Sequence, residues 1–342
     1  MNYLIFRTDR IGDFLIISSF INSIKRHKPN SKITLVCSEK NSEFVKKISK
    51  IDEVFTINRK STINKIKLFK QLRCNNYESI ITLDKKNSSI IITLFLKSKN
   101  KIFNVSKNLQ YKIMKFFFKN VFLDNDNADQ GMNELLKQNC NCLGFQLIKK
   151  DLNFFEENYF EKNFSHSKNF KINNLNYSII HYDEKWENKS YKKAFKKGDT
   201  FTNINVSCDD FKKLLEKLSK KLNETIIVTT GLIETENIDE IKKTSKKISN
   251  YIYEIKLTNN NAFLIINDNF FSTSHLISKC RMFISCHGAF THIASNYNVK
   301  ILDIIEKNKE KHYKRITSHM ENYNSLFREN FKNLSKKIIN CS

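Results

Sequence analysis

The sequence predicts an α/β fold built from two doubly wound, Rossmann-like domains. Short apolar runs alternate with amphipathic stretches through the first 105 residues, and the same alternation resumes at Tyr177. Such alternation of strands and helices is typical of a parallel sheet with helices on both faces. The length of 342 residues is sufficient for two domains, each with its own core.

The first half contains five strand patterns and four helical patterns. The strands are predicted at 3–6, 32–37, 53–57, 79–83 and 101–105, and the helices at 14–28, 42–51, 63–74 and 88–96. The alternation then stops, with helical patterns at 111–122 and 131–145 and a polar stretch at 156–176. This polar stretch is predicted to connect the domains. The first domain is therefore assigned to residues 1–170.

The second half repeats the pattern. Strands are predicted at 177–182, 225–231, 251–256, 281–286 and 299–305, and helices at 208–222, 237–248, 274–280 and 289–297. This domain is assigned to residues 171–320. A last helical pattern at 324–338 dominates residues 321–342, and it can pack on either domain.

The chain is strongly basic, with 59 Lys and Arg against 35 Asp and Glu and a formal charge of +24. Such a surface attracts phosphates, nucleic acid or an anionic membrane. Lysine is abundant along the whole chain, so part of the charge reflects compositional bias. Charge is the only feature that supports a nucleic acid partner, so we expect none. The longest apolar run, 88–96, is too short to span a bilayer, so any membrane contact is expected to be peripheral.

Eight cysteines are scattered through the chain, without the spacing of a zinc site or a redox pair. We expect reduced thiols in a cytosolic compartment.

Polar residues interrupt the apolar N-terminus just after the first predicted strand. Gly12 suits a sharp turn or a close approach by a ligand, and Asp13 lies near the N-cap of the next helix, where its carboxylate can accept backbone N–H groups. Arg7, Asp9 and Arg10 lie in the same loop. Four charged residues exceed what a helix cap needs, which favours a functional site at the carboxyl edge of the sheet.

A second candidate lies where a predicted strand meets a helix that begins near Ala289. Gly288 precedes that helix, whose free N–H groups and positive dipole end can bind phosphate. Thr291 offers a hydroxyl, and His287 and His292 lie on either side of the helix start.

A third candidate follows the strand at 177–182. Lys185 can neutralise a diphosphate as a flexible point charge, although a solvated lysine is the default in so basic a chain. Trp186, the only tryptophan, is expected to pack the loop rather than stack on a base.

In this order, these stretches resemble glycosyltransferase family 9, the heptosyltransferases of lipopolysaccharide core assembly and their relatives, over about residues 1–305. The most specific elements are R-x-x-x-I-G-D, which ends at Asp13, and G-x-x-T-H-x-A, which begins at Gly288. The resemblance implies a GT-B fold whose two Rossmann-like domains face a central cleft. The first domain would hold the acceptor and the second a nucleotide-diphospho-sugar.

The resemblance also implies roles for individual residues. Asp13 matches the family's proposed general base, and Gly12 matches the glycine before it. The implied donor-binding residues are Lys185, His287, Gly288, Thr291 and His292. Arg7 and Arg10 would bind acidic groups of the acceptor; the alternative for both is a salt bridge with Asp9 or Asp13.

The sequence departs from the family pattern at one loop. The family usually has an Asp before the Ser/Thr-Gly pair, whereas Ser285, Cys286 and His287 precede Gly288 here. The loop between Gly288 and Thr291 is also one residue longer.

The resemblance implies an inverting transferase without metal or cofactor, with Asp13 as the base. The donor would carry heptose or a related sugar, with an ADP-sugar favoured, and the acceptor would be a glycolipid or oligosaccharide of lipopolysaccharide or another surface glycan. The enzyme would be cytoplasmic, with peripheral contact at the inner face of the membrane. Two alternatives remain open: a degenerate GT-B nucleotide- or glycan-binding module without catalysis, and a GT-B-like nucleotide-sugar epimerase, which needs carboxylates that loop 285–292 does not supply.

Overall fold

The computed structural model describes residues 1–58, 60–125, 130–161, 176–187, 202, 204–258, 260–266 and 269–342. The chain divides into two compact units. The first comprises Met1–Phe154 and Lys314–His319, and the second comprises Phe155–Tyr313 and Met320–Ser342. The predicted domain boundary after residue 170, and most of the predicted connection, lie outside the described residues.

The first unit is a six-stranded parallel sheet in the order β3-β2-β1-β4-β5-β6. Its strands are β1 Asn2–Phe6, β2 Lys32–Ser38, β3 Glu53–Ile57, β4 Tyr77–Thr82, β5 Ser98–Val105 and β6 Val121–Leu123. Its helices are α1 Ile11–His27, α2 Glu39–Val45, α3 Thr62–Leu72, α4 Asn87–Phe95, α5 Asn108–Phe117 and α6 Met132–Asn141. The five predicted strands of this half are confirmed.

The centre of the first sheet is covered on both faces. Leu4, Ile5 and Phe6 of β1 are fully buried, as expected for a central parallel strand. On one face α1 contacts α2 and α6. On the other, Leu68 of α3 and Ile92 of α4 pack in one apolar cluster with the sheet.

The second unit contains an eight-stranded sheet in the order β14-β13-β12-β7-β8-β11-β10-β9. Its strands are β7 Tyr177–Tyr182, β8 Thr225–Thr230, β9 Lys246–Lys247, β10 Ile252–Lys256, β11 Asn261–Ile265, β12 Met282–Cys286, β13 Lys300–Ile305 and β14 Tyr323–Phe327. The helices that follow α6 are α7 Cys208–Leu222, α8 Glu236–Thr244, α9 Phe270–Lys279, α10 Ala289–Asn296, α11 Glu310–Thr317 and α12 Phe331–Cys341. The strands from β14 to β11 are parallel, and β10 pairs antiparallel with both β11 and β9.

Four predictions of secondary structure are wrong. The helix predicted at 111–122 ends at Phe117 and is followed by β6. The helix predicted at 237–248 ends at Thr244, and strand β9 follows it. The helical pattern at 324–338 begins with the edge strand β14, and only α12 is helical. Strand β11 was not predicted. Short apolar runs fit a strand or a helix equally well, and pairing with a neighbouring strand decides between them.

The last helix, α12, packs on the second unit. Phe331, Leu334 and Ile338 are buried in the same apolar cluster as Trp186 and Phe211. The sequence left open which domain this segment covers, and the structure assigns it to the second.

Among its parallel strands, each sheet has one place where the strand order reverses. In the first sheet it lies between β1 and β4, and in the second between β7 and β12. In open α/β sheets, ligands bind outside the carboxyl ends of the strands at such switch points. The predicted site residues follow β1, β7 and β12, so the topology places them at these two edges.

Candidate functional site

In the second unit, Lys185 joins the two loops at the switch point. Its Nζ atom lies 2.7 Å from a carboxylate oxygen of Asp183, 2.8 Å from the carbonyl oxygen of His287 and 3.2 Å from that of Cys286. Asp183 follows β7, whereas His287 follows β12. One ammonium group therefore bonds the ends of the two strands that flank the switch point.

Lys185 stays charged in this position. Burial is the largest single influence and disfavours the ammonium form, but the charge and hydrogen bond of Asp183, together with Cys286 and Glu184, outweigh it and raise the pKa of Lys185. The side chain is 23% exposed, so the charge lies at the surface of the loop pair.

Gly288 lies between this ammonium and helix α10. A Cβ atom at Gly288 would lie 3.3 Å from Lys185 Nζ, so a glycine leaves room for the ammonium at the start of the helix. The amides of Ala289 and Phe290 are in the first turn and have no helical carbonyl to bond. A charged lysine and these amides together favour an anion.

The loop lacks a carboxylate of its own, but strand β13 supplies one. Asp303 is fully buried, and one of its oxygens lies 2.6 Å from His287 Nδ1 and accepts the Tyr323 hydroxyl at 2.9 Å. Because a carboxylate oxygen accepts, we assign the ring proton of His287 to Nδ1. This leaves Nε2 of His287 as the nitrogen that does not face Asp303.

Thr291 and His292 occupy the first turn of α10. The Thr291 hydroxyl is buried and accepts the Gly288 N–H at 3.3 Å, and it lies 3.4 Å from Asp303. Thr291 therefore shapes the start of the helix, and direct contact of its hydroxyl with a donor stays a prediction. The His292 ring is perpendicular to that of His287, with centroids 5.4 Å apart.

Two buried aromatic rings support the loop after β7. Trp186 stacks on Tyr182 and donates its indole N–H to the carbonyl of His181 at 2.9 Å, which confirms that it packs the loop. His181 Nδ1 lies 3.0 Å from the Thr229 hydroxyl, and burial lowers the pKa of His181 to about 4. His181 is therefore neutral at physiological pH.

In the first unit, helix α1 begins at Ile11, earlier than predicted. Gly12 is its second residue, so the sharp turn expected there is absent and a close approach by a ligand is the remaining reading. Asp13 is the third helical residue. One of its carboxylate oxygens accepts the Arg10 N–H at 3.0 Å and the other accepts from Arg7 at 3.1 Å. The Asp13 side chain is 39% exposed, and a carboxylate has about four lone-pair positions, so it can still accept a hydrogen bond from another group.

Arg7 and Arg10 differ in their surroundings. Arg7 is buried and donates to the carbonyl oxygens of Asp13 and Leu83. It also pairs with the carboxylates of Asp13 and Asp9, so the salt-bridge alternative is confirmed for Arg7. Arg10 is the N-cap residue of α1 and is exposed, which leaves its guanidinium accessible to a ligand.

Asp84 is a carboxylate at the first switch point that was not predicted. It lies just beyond β4, fully buried, and accepts hydrogen bonds from the Thr8 and Ser89 hydroxyls and the Lys86 N–H. Burial raises the pKa of Asp84. The sequence carried a signal for it, because an acidic residue directly after an apolar strand is the pattern that also marks Asp183. Asp303 had a weaker signal, a carboxylate inside an apolar strand pattern.

The described residues also bear on cysteine chemistry, metal binding and membrane crossing. All eight cysteines are free thiols. Across the described ranges, no group of three or more His, Cys, Asp and Glu side chains is arranged to hold a metal ion. No described helix is long and apolar enough to cross a membrane.

No protein-family model and no curated protein sequence matches the chain. Solved structures do. Heptosyltransferase WaaC of E. coli with ADP-2-deoxy-2-fluoro heptose is 10% identical, with a TM-score of 0.64 and full coverage of both chains. The chain has the GT-B fold. A glycosyltransferase family 9 protein from Veillonella parvula is 10% identical, with a TM-score of 0.62 over 98% of this chain and 90% of its own.

The same GT-B fold also occurs in epimerases. A putative UDP-N-acetylglucosamine 2-epimerase from Listeria monocytogenes is 8% identical, with a TM-score of 0.56 over 99% of this chain and 87% of its own. The structural comparisons therefore confirm the predicted fold and its resemblance to heptosyltransferases.

Proposed function

We propose that this chain is an inverting, metal-independent glycosyltransferase. It transfers heptose or a related sugar from a nucleotide-diphospho-sugar to a lipopolysaccharide-type or other surface-glycan acceptor. The observation that carries this proposal is the position of the Lys185 ammonium beside the first turn of α10, at the switch point of the second sheet.

This arrangement suits the leaving group. When the bond from the anomeric carbon to the diphosphate breaks, negative charge gathers on the departing phosphate oxygens. The Lys185 ammonium and the Ala289 and Phe290 amides are already oriented, so they stabilise that charge with little reorganisation. His287, with its ring fixed by Asp303, supplies a further polar group at the same loop.

Asp13 is the proposed general base. The acceptor hydroxyl must lose its proton as it attacks the anomeric carbon, and a positioned carboxylate can take it. The bonds from Arg7 and Arg10 hold the Asp13 side chain in one orientation and leave part of it accessible. The proposal requires Asp13 and the donor loop to act on the same pair of substrates. Direct displacement by the acceptor inverts the anomeric configuration.

For the donor, an ADP-sugar is the first choice. The structurally similar E. coli enzyme was solved with ADP-2-deoxy-2-fluoro heptose, which makes ADP-heptose the natural first probe for this chain. The exposed Arg10 is the candidate contact for an acidic group of the acceptor.

Epimerisation is a second candidate because an epimerase shares the fold. It would require carboxylates free to act around the donor sugar. Asp183 and Asp303, the buried carboxylates at the loop pair, are bonded to Lys185 and to His287 with Tyr323, respectively. Because both carboxylates already have partners within the protein, transfer is favoured over epimerisation.

Calorimetry with ADP, UDP and their sugars tests the proposal, with a DNA filter-binding assay alongside. We expect saturable binding of one nucleotide and its sugar, and weaker binding by Lys185→Ala. If NMR shows that a bound nucleotide sugar changes configuration without any acceptor, the epimerase is the correct reading. Binding of DNA but of none of the nucleotides would contradict both.

A further inference from the structure

Helices α4 and α5 of the first unit expose large apolar side chains on their outer surface. On α5, Phe116 is 85% exposed, Leu109 72%, Phe117 70% and Ile113 54%. On α4, Phe95 is 72% exposed and Ile91 54%. We call these six residues the α4–α5 face. Single exposed apolar residues are ordinary, but a group this large marks an interaction surface.

The two helices are neighbours on one side of the sheet. Their inner surfaces share one core cluster, which contains Ile90 of α4 and Met114 of α5. Their N-terminal ends are joined by a hydrogen bond from Gln110 to Asn87 at 3.5 Å. The exposed side chains of both helices therefore lie on the outer side of the same layer.

The chain segment that carries this face contains charges of one sign only. Between residues 85 and 123 the chain contains nine lysines and no aspartate or glutamate: Lys85, Lys86, Lys97, Lys99, Lys101, Lys107, Lys112, Lys115 and Lys119. Three of its lysines pair with acids from outside the segment, namely Lys85 with Asp124, Lys86 with Asp9 and Lys99 with Glu78. Lys112, Lys115 and Lys119 are exposed and alternate with the apolar residues of α5 and the turn after it. The compositional bias of the chain explains many lysines, but it does not explain why none of the exposed positions of this segment carries an acid.

We propose that the α4–α5 face docks on an anionic lipid bilayer. Apolar and aromatic side chains can enter the boundary between headgroups and acyl chains, while the lysines contact lipid phosphates. A second copy of the chain is a poor occupant, because a self-complementary contact would bring two lysine-rich faces together. The docking does not depend on the proposed transfer reaction, but it would bring the enzyme to a glycolipid acceptor.

Vesicle sedimentation with the full-length chain tests this proposal without any sugar substrate. Vesicles of phosphatidylcholine are compared with vesicles that also contain phosphatidylglycerol, at low and at high salt. The test variants are Phe116→Ser/Phe117→Ser and Lys112→Gln/Lys115→Gln. The matched controls change exposed residues of the second unit, namely Leu232→Ser and Lys332→Gln/Lys336→Gln.

We expect the wild type to prefer anionic vesicles and to lose affinity at high salt. The phenylalanine pair should lower partitioning by about tenfold, since both rings leave the membrane. The α5 lysine pair should lower partitioning to anionic vesicles alone, and both controls should sediment like the wild type. Circular dichroism and thermal melting establish whether each variant folds. If the phenylalanine double variant does not fold, the lysine double variant still tests the proposal.

Three results would overturn the proposal. The first is equal binding of the wild type to neutral and anionic vesicles, or binding that neither test variant weakens. The second is a concentration-dependent dimer that Phe116→Ser/Phe117→Ser abolishes, since a second copy would then occupy the face. The third is retention of DNA, with no vesicle binding, through the same lysines. Nucleotide binding is measured separately, so a failure of docking is distinct from a failure of the transferase proposal.

Discussion

The Nζ atom of Lys185 lies 2.8 Å from the carbonyl oxygen of His287, a residue 102 positions further along the chain. The contact exists because β7 and β12 are adjacent in the sheet, although β8 follows β7 in sequence. The sequence places the Lys185 charge only in the loop after β7. In the folded chain the same charge also contacts the loop after β12. The predictions for the donor site follow from this contact.

Replacing Lys185 should affect both binding and stability. Lys185→Ala removes the charge proposed to hold the diphosphate, so we expect at least about tenfold weaker binding of the nucleotide. It also leaves the buried Asp183 without its counter-charge, a change that costs about 3–5 kcal/mol for a fully buried pair and less here because Lys185 is partly exposed. Calorimetry and urea unfolding measure the two effects.

The matched control is the double variant Lys185→Ala/Asp183→Asn. Removing the unpaired carboxylate should recover much of the lost free energy of unfolding but none of the nucleotide affinity. Nucleotide binding by Lys185→Ala that equals the wild type would remove this residue from the donor site.

Two glycines near Asp183 and Lys185 should respond differently to alanine. At Gly288 the new Cβ would lie 3.3 Å from the flexible end of Lys185, which can shift. At Gly231 it would lie 2.9 Å from Asp183 Cβ and 3.4 Å from its Cα, which are fixed by the loop. We therefore expect Gly288→Ala to weaken nucleotide binding with little change in melting temperature, and Gly231→Ala to lower the melting temperature more. The reverse order of melting temperatures would show that the loop geometry is misassigned.

His181 should make stability depend on pH. Its pKa is about 4 in the folded chain against an ordinary value of 6.5, because burial disfavours the charged ring. Above pH 6.5 the ring is neutral in both the folded and the unfolded chain, so the stability that depends on a neutral His181 is fully present. Between pH 6.5 and 4 the unfolded chain binds a proton that the folded chain does not, so the free energy of unfolding falls, by up to about 1.4 kcal/mol per pH unit.

Urea unfolding of the wild type and His181→Gln at several pH values within this window measures the effect. The variant lacks this titration, so its stability should fall less steeply on acidification. Identical slopes for the two proteins would contradict a buried, neutral His181.

Apolar periodicity predicted the sheet cores and the positions of the two switch-point loops. Helix or strand was harder to decide for short apolar runs such as 121–123 and 323–327, because their structure depends on a neighbouring strand. The local sequence contains no information about which neighbour is available.

The same limit explains what was missed at the site. Asp303 lies 16 positions after His287 and reaches it only because β13 pairs with β12. Asp84 reaches Thr8 only because β4 pairs with β1. Residues that share one strand-to-helix junction, such as Gly288 and Thr291, were predicted together because their spacing along the chain sets their geometry.

The rate of transfer by Asp13→Asn tests the central claim most directly. Asparagine keeps an oxygen that can accept the Arg10 N–H, and Arg7 keeps Asp9 as a partner, so we expect the chain to fold with some loss of stability from the broken Arg7–Asp13 pair. The affinity for the nucleotide should be nearly unchanged. It cannot act as a base, so the release of ADP from ADP-heptose, with a heptose-deficient lipopolysaccharide core as acceptor, should fall by about 10²–10⁴-fold. Release by Asp13→Asn within a few-fold of an active wild type would show that Asp13 only caps helix α1, and the proposed mechanism would be wrong.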